Sequence, residues 1–132
     1  NIEMTYGEKA KELKDTLICA QSVVVALDEL TGLDEKTSKA LSTGMGGGLR
    51  CGEACGAYCG AVLAIGMTGG ADGMGKPGGR VAMATKQLAA EFKEKFGAIR
   101  CEDLLAMSDD DHSVCYGFCE WCADKAAEII GK

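Results

Sequence analysis

The chain has 132 residues, 47% of them apolar and 26% charged, which is the composition of a globular protein with one hydrophobic core. Its net charge of −6 argues against a nucleic-acid partner, which would need a basic face. No run of about eighteen apolar residues is present, so the sequence predicts no membrane span. We therefore expect a single domain over residues 1–132.

The first third of the chain predicts three helices. Thr5 with Glu8 three residues on is a capping box, which marks the start of the first helix. Asp15 or Thr16 would cap the second helix, which is either separate from the first or continuous with it through a kink. Asp34 would cap the third. The three predicted helices cover residues 5–14, 17–30 and 34–43.

The rest of the chain predicts four more helices and a glycine-rich loop over 68–79. These helices cover residues 52–67, 80–95, 101–105 and 118–130. Gly56 and Gly60 lie inside the first of them, where each glycine costs up to about 1 kcal/mol relative to alanine. A bulky group or another backbone should therefore approach that face. No alternating strand pattern of useful length is present, so we expect an all-α, compact helical bundle with a central helix rich in Gly, Ala and Cys.

Eight cysteines are the main clue to function. Disulfide scaffolds are usually shorter than about 80 residues and rich in loops, whereas this helical chain is long enough to fold without such links. We therefore expect free thiols that serve metal or redox chemistry. Free thiols suggest a reducing cytoplasm, although the first residue, Asn1, leaves export open.

Six of the cysteines fall in two groups with helical spacing. The first group is Cys51, Cys55 and Cys59, and the second is Cys115, Cys119 and Cys122. Such spacings keep side chains on one face of a helix. The other two, Cys19 and Cys101, lie near predicted helix starts, where the helix dipole favours the thiolate form that binds metals. Burial as a small core residue would explain one or two cysteines but not eight.

The kind of metal site follows from the spacing. Structural zinc sites usually use two C-x2-C pairs, and only Cys119 and Cys122 form one. Iron–sulfur clusters can gather cysteines from separate helices, so the pattern favours them over zinc. Two alternatives stay open: a dithiol oxidoreductase that uses the Cys119/Cys122 pair, and a zinc-stabilised interaction module. The only histidine, His112, lies in a polar loop and is expected to be solvent-exposed.

Several short motifs, taken in order, resemble the C-GCAxxG-C-C family of redox-active proteins from about Leu17 to Ile130. The matching pieces are Cys19-Ala20-Gln21, Gly46-Gly47-Gly48, Cys55-Gly56-Ala57-x-x-Gly60-Ala61, Phe96-Gly97-x-x-x-Cys101-x-x-Leu104-Leu105, and Cys119 followed by Ala126-Ala127-Glu128-Ile129. Similar domains occur in split-Soret cytochromes, where an iron–sulfur centre has been proposed. The chain has no C-x-x-C-H sequence, so covalent haem is excluded.

The resemblance implies a redox role and a site with four thiolates. Carried over onto this sequence, the four family cysteines are Cys19, Cys55, Cys101 and Cys119. The chain adds four further cysteines, Cys51, Cys59, Cys115 and Cys122, which would complete a second cluster, enlarge the first or serve as a dithiol. We expect an oxygen-sensitive protein that holds a 4Fe–4S or 2Fe–2S cluster for electron transfer or redox sensing. It would need a redox partner protein, and a homodimer would shield a cluster near the surface.

Overall fold

The computed structural model describes residues 3–69 and 78–131, and all regular structure in these ranges is helical, which confirms the all-α prediction. The helices are α1 (Tyr6–Leu13), α2 (Cys19–Ala26), α3 (Asp28–Thr31), α4 (Glu35–Ser42), α5 (Gly56–Gly69), α6 (Arg80–Phe96), α7 (Cys101–Ala106) and α8 (Val114–Ile130). Most of the predicted loop over 68–79 lies outside the described residues. Among the helices described, none has the length and apolar character to cross a membrane.

Two predicted helix starts are confirmed by their caps. The Thr5 hydroxyl accepts a hydrogen bond from the Glu8 backbone N–H at 3.0 Å, and the Glu8 carboxylate accepts one from the Thr5 N–H at 2.9 Å. The Asp34 carboxylate accepts a hydrogen bond from the Thr37 N–H at 2.7 Å. These side chains stabilise α1 and α4 because they satisfy backbone donors that have no partner within the helix.

The predicted start of the second helix is wrong. Asp15 and Thr16 do not cap it, because both belong to the turn that closes α1, in which their N–H groups donate to carbonyls of that helix at 3.2 Å and 3.1 Å. The N-cap of α2 is Ile18, and Cys19 is the first residue of the helix. The two helices are therefore separate.

The central helix also begins later than predicted. Residues 53–55 are extended and pair with residues 99–101, so α5 starts at Gly56. Cys51 and Cys55 consequently precede the helix, and only Cys59 lies within it. The prediction that these three cysteines share one face of one helix is therefore wrong. The last helix begins earlier than predicted, at Val114, so that all three C-terminal cysteines lie on α8.

The core surrounds α2, which packs against α1, α4, α5 and α8. Val23, Val24 and Leu27 of α2 are completely buried, as is Ile65 of α5. Phe92 of α6 is also fully buried and joins an aromatic cluster. Its other members are Phe96, Phe118 and Trp121, with neighbouring ring centroids 4.8–5.8 Å apart.

The two glycines inside α5 allow this helix to cross α2 with the backbones in contact, as the sequence predicts. A Cβ atom on Gly60 would lie 2.8 Å from the Ala20 carbonyl oxygen. One on Gly56 would lie 3.1 Å from the Met45 carbonyl oxygen and 3.5 Å from the Cys19 Cβ. The crossing therefore places the start of α2 directly beside the start of α5.

The crossing can be tested by two matched glycine substitutions in α5. We expect Gly60→Ala to destabilise the protein by about 1–3 kcal/mol, because the new methyl group displaces the α2 backbone. Gly66→Ala is the control, since no atom lies within 4 Å of a Cβ there. It should be neutral or stabilise by up to about 1 kcal/mol through helix propensity. Urea unfolding of both variants measures the difference, and equal effects would contradict the close crossing.

Candidate functional site

A pocket of about 310 Å³ lies where the starts of four helices meet, and each helix start contributes one cysteine to its lining. The four cysteines are Cys19, Cys55, Cys101 and Cys115. The volume lies at the lower end of the range of about 300–1,000 Å³ that is typical of small-molecule and cofactor sites. Three of these cysteines belong to the set that the family resemblance implies, and the fourth does not.

Each of these cysteines occupies the beginning of its helix. Cys19 and Cys101 are the first residues of α2 and α7, and Cys115 is the second residue of α8. Cys55 immediately precedes α5, and its carbonyl accepts the first helical hydrogen bond from the Cys59 N–H at 3.0 Å. The positive ends of the helix dipoles therefore lie beside the pocket.

A short antiparallel bridge holds Cys55 next to Cys101. The Cys55 N–H donates to the Ile99 carbonyl at 2.8 Å, and the Cys101 N–H donates to the Glu53 carbonyl at 2.6 Å. Outside the pocket, the Arg100 guanidinium pairs with the Glu53 carboxylate at 3.2 Å. These contacts join residues that are distant in sequence, so sequence patterns gave no sign of them.

The turn before Cys51 forms one wall of the pocket, which Gly47 and Arg50 line. Gly47, Gly48, Leu49 and Arg50 all have positive φ angles, which are unusual for leucine and arginine. Gly48 cannot be replaced by a larger residue, because a Cβ there would lie 2.7 Å from the Cys101 Cβ. Residues 47–50 thus form a defined left-handed turn against the site.

The Cys19 thiol links the pocket to the interior of α8. It forms hydrogen bonds with the thiols of both Cys115 and Cys119. The Cys119 thiol also donates to the Cys19 carbonyl at 3.7 Å. Cys119 is completely buried and does not line the pocket, so the structure brings together Cys19, Cys55 and Cys101 as the sequence predicts but places Cys119 behind them.

Basic and apolar side chains complete the pocket. Lys14, Arg50 and His112 line it, and Lys14 interacts electrostatically with the thiols of Cys19 and Cys115. Apolar wall residues are Ile18, Leu104, Leu105 and Phe118. His112 is exposed, as predicted, but its place at the pocket could not be predicted because the preceding loop carries no signal of its path.

The pocket thiols hold their protons more strongly than free cysteines do. Burial raises the pKa of Cys55 to about 12. The pKa of Cys19 is also raised to about 12: its hydrogen bond with Cys115 lowers the pKa, but the bond with Cys119 and burial outweigh this effect. The hydrogen bond with Cys19 raises the pKa of Cys115, and burial raises that of Cys101. At neutral pH the pocket of the metal-free protein therefore holds neutral thiols.

The four pocket cysteines are a set of sulfur donors. Thiolate sulfur is the ligand type that iron–sulfur clusters and soft metal ions prefer. In the two described ranges, however, no three Cys, His, Asp or Glu side chains converge closely enough to hold a single metal ion. The four thiols line one pocket, so a group bound there could be held by several of them. Its positive metal ions would favour ionisation of the thiols.

The remaining cysteines do not share one site. All eight cysteines lie in the described ranges and are free thiols. Cys51 is exposed and donates to the Gly48 carbonyl at 3.6 Å, whereas Cys59 is half-buried and donates to the Ala54 carbonyl at the same distance. Cys122 is fully buried and interacts electrostatically with Cys55, Cys19 and Cys59, although it does not line the pocket. The second predicted set is thus divided, with only Cys115 in the pocket.

Comparison with known families agrees with this cysteine-rich helical architecture. A family model described as "Putative redox-active protein (C_GCAxxG_C_C)" matches residues 17–130, which is most of the chain. The chain belongs to this family. No curated protein and no solved structure matches the chain. The fold explains the glycines of the C-GCAxxG-C-C motif, because Gly56 and Gly60 are the positions where α5 contacts the backbone around Cys19.

The raised thiol pKa values predict that the metal-free protein loses stability in alkaline solution. The folded state keeps the protons of Cys19 and Cys55 up to about pH 12, whereas the unfolded chain releases them near the ordinary pKa of 9.0. Their contribution is complete below pH 9.0 and is lost as the pH rises towards 12. By about pH 10, each thiol should lower the free energy of unfolding by about 1 kcal/mol.

Urea unfolding at neutral pH and at about pH 10 measures this loss. The Cys19→Ser and Cys55→Ser variants should each show a smaller loss than the unsubstituted protein, because a titrating thiol is gone. Cys51→Ser is the matched control, since its side chain is exposed, and it should lose as much stability as the unsubstituted protein. An equal loss in all four proteins would contradict the assignment.

Proposed function

We propose that the protein holds an iron–sulfur cluster in the thiol pocket and serves in electron transfer or redox sensing. This proposal specifies the redox activity by which its family is described. The observation that supports it best is the meeting of four thiols, one from each of four helix starts, around one pocket. Cys19, Cys55 and Cys101 would act as ligands, together with a thiolate from α8.

The size and spacing of the site favour a cluster over zinc. A zinc-stabilised module would need four ligands around one ion, and the described residues contain no such convergence. A cluster places several iron and sulfide ions between its ligands, so the four thiols need not approach one another so closely. The cluster, when bound, would supply one-electron chemistry.

The chain's own residues would tune and protect such a group. Apolar side chains such as Leu104 and Phe118 exclude water from the walls. The positive charges of Lys14 and Arg50 would offset the negative charge of four thiolates. The partial positive charges at the starts of α2 and α8 would likewise stabilise negative charge on the thiolates.

The dithiol alternative receives less support from the geometry. Thiol–disulfide exchange and peroxide reduction need an accessible thiolate. Cys119 and Cys122 are both completely buried, and burial raises the pKa of Cys122 well above its ordinary value. This pair therefore suits a packing role better than exchange with another protein.

A redox partner and a reducing compartment belong to the same proposal. The cluster would exchange electrons with a partner protein, and a second copy of the chain over the pocket mouth would shield it. Eight free thiols suit a reducing compartment such as the cytoplasm.

Anaerobic purification with iron, sulfide and zinc analysis tests the proposed function. We expect a brown protein with equimolar iron and sulfide and with charge-transfer absorption in the visible range. Cys55→Ser should lose most of this iron, because it removes a pocket thiol, whereas Cys51→Ser should keep it because Cys51 does not line the pocket. A colourless protein that binds zinc, or that forms a reversible Cys119–Cys122 disulfide, would refute the proposal.

The charge of Lys14 gives a second test. Reduction adds negative charge to a cluster, so a nearby cation stabilises the reduced form. Lys14→Gln should therefore lower the midpoint potential measured by a redox titration. Lys11→Gln removes the same charge from an exposed position on α1 that does not line the pocket, and its potential should change less. Equal potentials in both variants would show that Lys14 does not act on the site.

A further inference from the structure

Helix α8 offers two cysteines for the fourth ligand position, and they differ in where they lie. Cys115 is in the first turn and lines the pocket, while Cys119 lies about 6 Å further along the helix axis and does not. The family resemblance places the ligand at Cys119. The geometry of the pocket distinguishes the two candidates.

The thiol of Cys115 shares the lining of the pocket with Cys19, Cys55 and Cys101. It interacts with all three, most strongly with the Cys19 thiol. Cys115 is therefore the α8 cysteine that lines the pocket beside the other three. A ligand shared with them has to occupy such a position.

The thiol of Cys119 already has a structural role. It is completely buried and donates a hydrogen bond to the carbonyl of Cys19, the first residue of α2. This contact ties the start of α2 to the second turn of α8. Its removal would change how Cys19 is held without removing a sulfur atom from the pocket lining.

We propose that Cys115, and not Cys119, supplies the fourth thiolate of the cluster, and that Cys119 is a positioning residue that holds the Cys19 backbone. This inference rests on the proposed function. It also gives the pocket a uniform construction, because Cys115 then opens its helix as Cys19, Cys55 and Cys101 do. The added cysteine of this chain takes over the place that the family pattern assigns to Cys119.

Matched substitutions in the full chain test the assignment. Cys115→Ala should lose most of the iron and sulfide after anaerobic reconstitution and change the EPR signal of the reduced protein. Cys119→Ala should keep nearly the iron content, sulfide content and EPR signal of the unsubstituted protein, with a lower unfolding temperature. Circular dichroism of the metal-free variants shows whether each one folds. If Cys119→Ala does not fold, Cys119→Ser replaces it, since its hydroxyl can still donate to the Cys19 carbonyl.

The possible outcomes separate this assignment from the proposed function. Loss of iron in a folded Cys119 variant, or full retention in Cys115→Ala, overturns the assignment while an iron-binding unsubstituted protein still supports the cluster. If the unsubstituted protein takes up no iron and sulfide, the proposed function fails and the assignment fails with it. Loss confined to Cys115→Ala supports both.

Discussion

The backbone contact between α2 and α5 is the constraint on which the rest of the site depends. Gly60 meets the Ala20 carbonyl, and Gly56 lies beside Cys19, so no side chain separates the two helices there. A larger residue at Gly60 would force α2 outwards and move Cys19 away from Cys55, and one at Gly56 would press on the Met45 carbonyl. The glycines of the family motif are therefore packing residues that bring two thiols together, although the motif itself is recognised by its cysteine.

The pocket is compatible with two charge states of its cysteines, neutral thiols and ionised thiolates. Without a guest, four thiolates around one pocket would repel one another, and the raised pKa values keep Cys19 and Cys55 neutral instead. With a cationic guest, the same thiols can ionise, and the helix starts around them then face negative charge, which their dipoles stabilise. The positive charge of Lys14 likewise stabilises the ionised thiols. The fold can thus form before the site is filled and does not depend on prior ionisation.

The local parts of the fold were predictable from the sequence, and the non-local parts were not. Thr5 and Asp34 indicate helix starts because an N-cap bonds to a residue only three positions further along the chain. The start of α5 was misplaced because glycine, glutamate, alanine and cysteine at 52–55 give no local signal of the pairing with residues 99–101. The positive φ angles at Leu49 and Arg50 could not be predicted either, since neither residue type favours that conformation.

The site was predictable to a similar extent. The sequence placed Cys19 and Cys101 near helix starts, and the family resemblance added Cys55 and Cys119 as ligands. Of these four, Cys19, Cys55 and Cys101 do line one pocket. Sequence reasoning missed the position of Cys115, because Ser113 makes no side-chain cap and so the true start of α8 carries no signal. The basic residues of the pocket, Lys14, Arg50 and His112, were also missed. They come from the end of α1 and from two irregular segments, whose paths the sequence does not indicate.

The wide separation of the pocket cysteines along the chain determines when the site can form. They come from residues 19, 55, 101 and 115, and the last of them lies in the first turn of α8. A polypeptide emerging from the ribosome therefore presents no complete set of sulfur ligands until Cys115 has been synthesised. Assembly of any group that needs all four thiols has to follow the synthesis of all four helix starts.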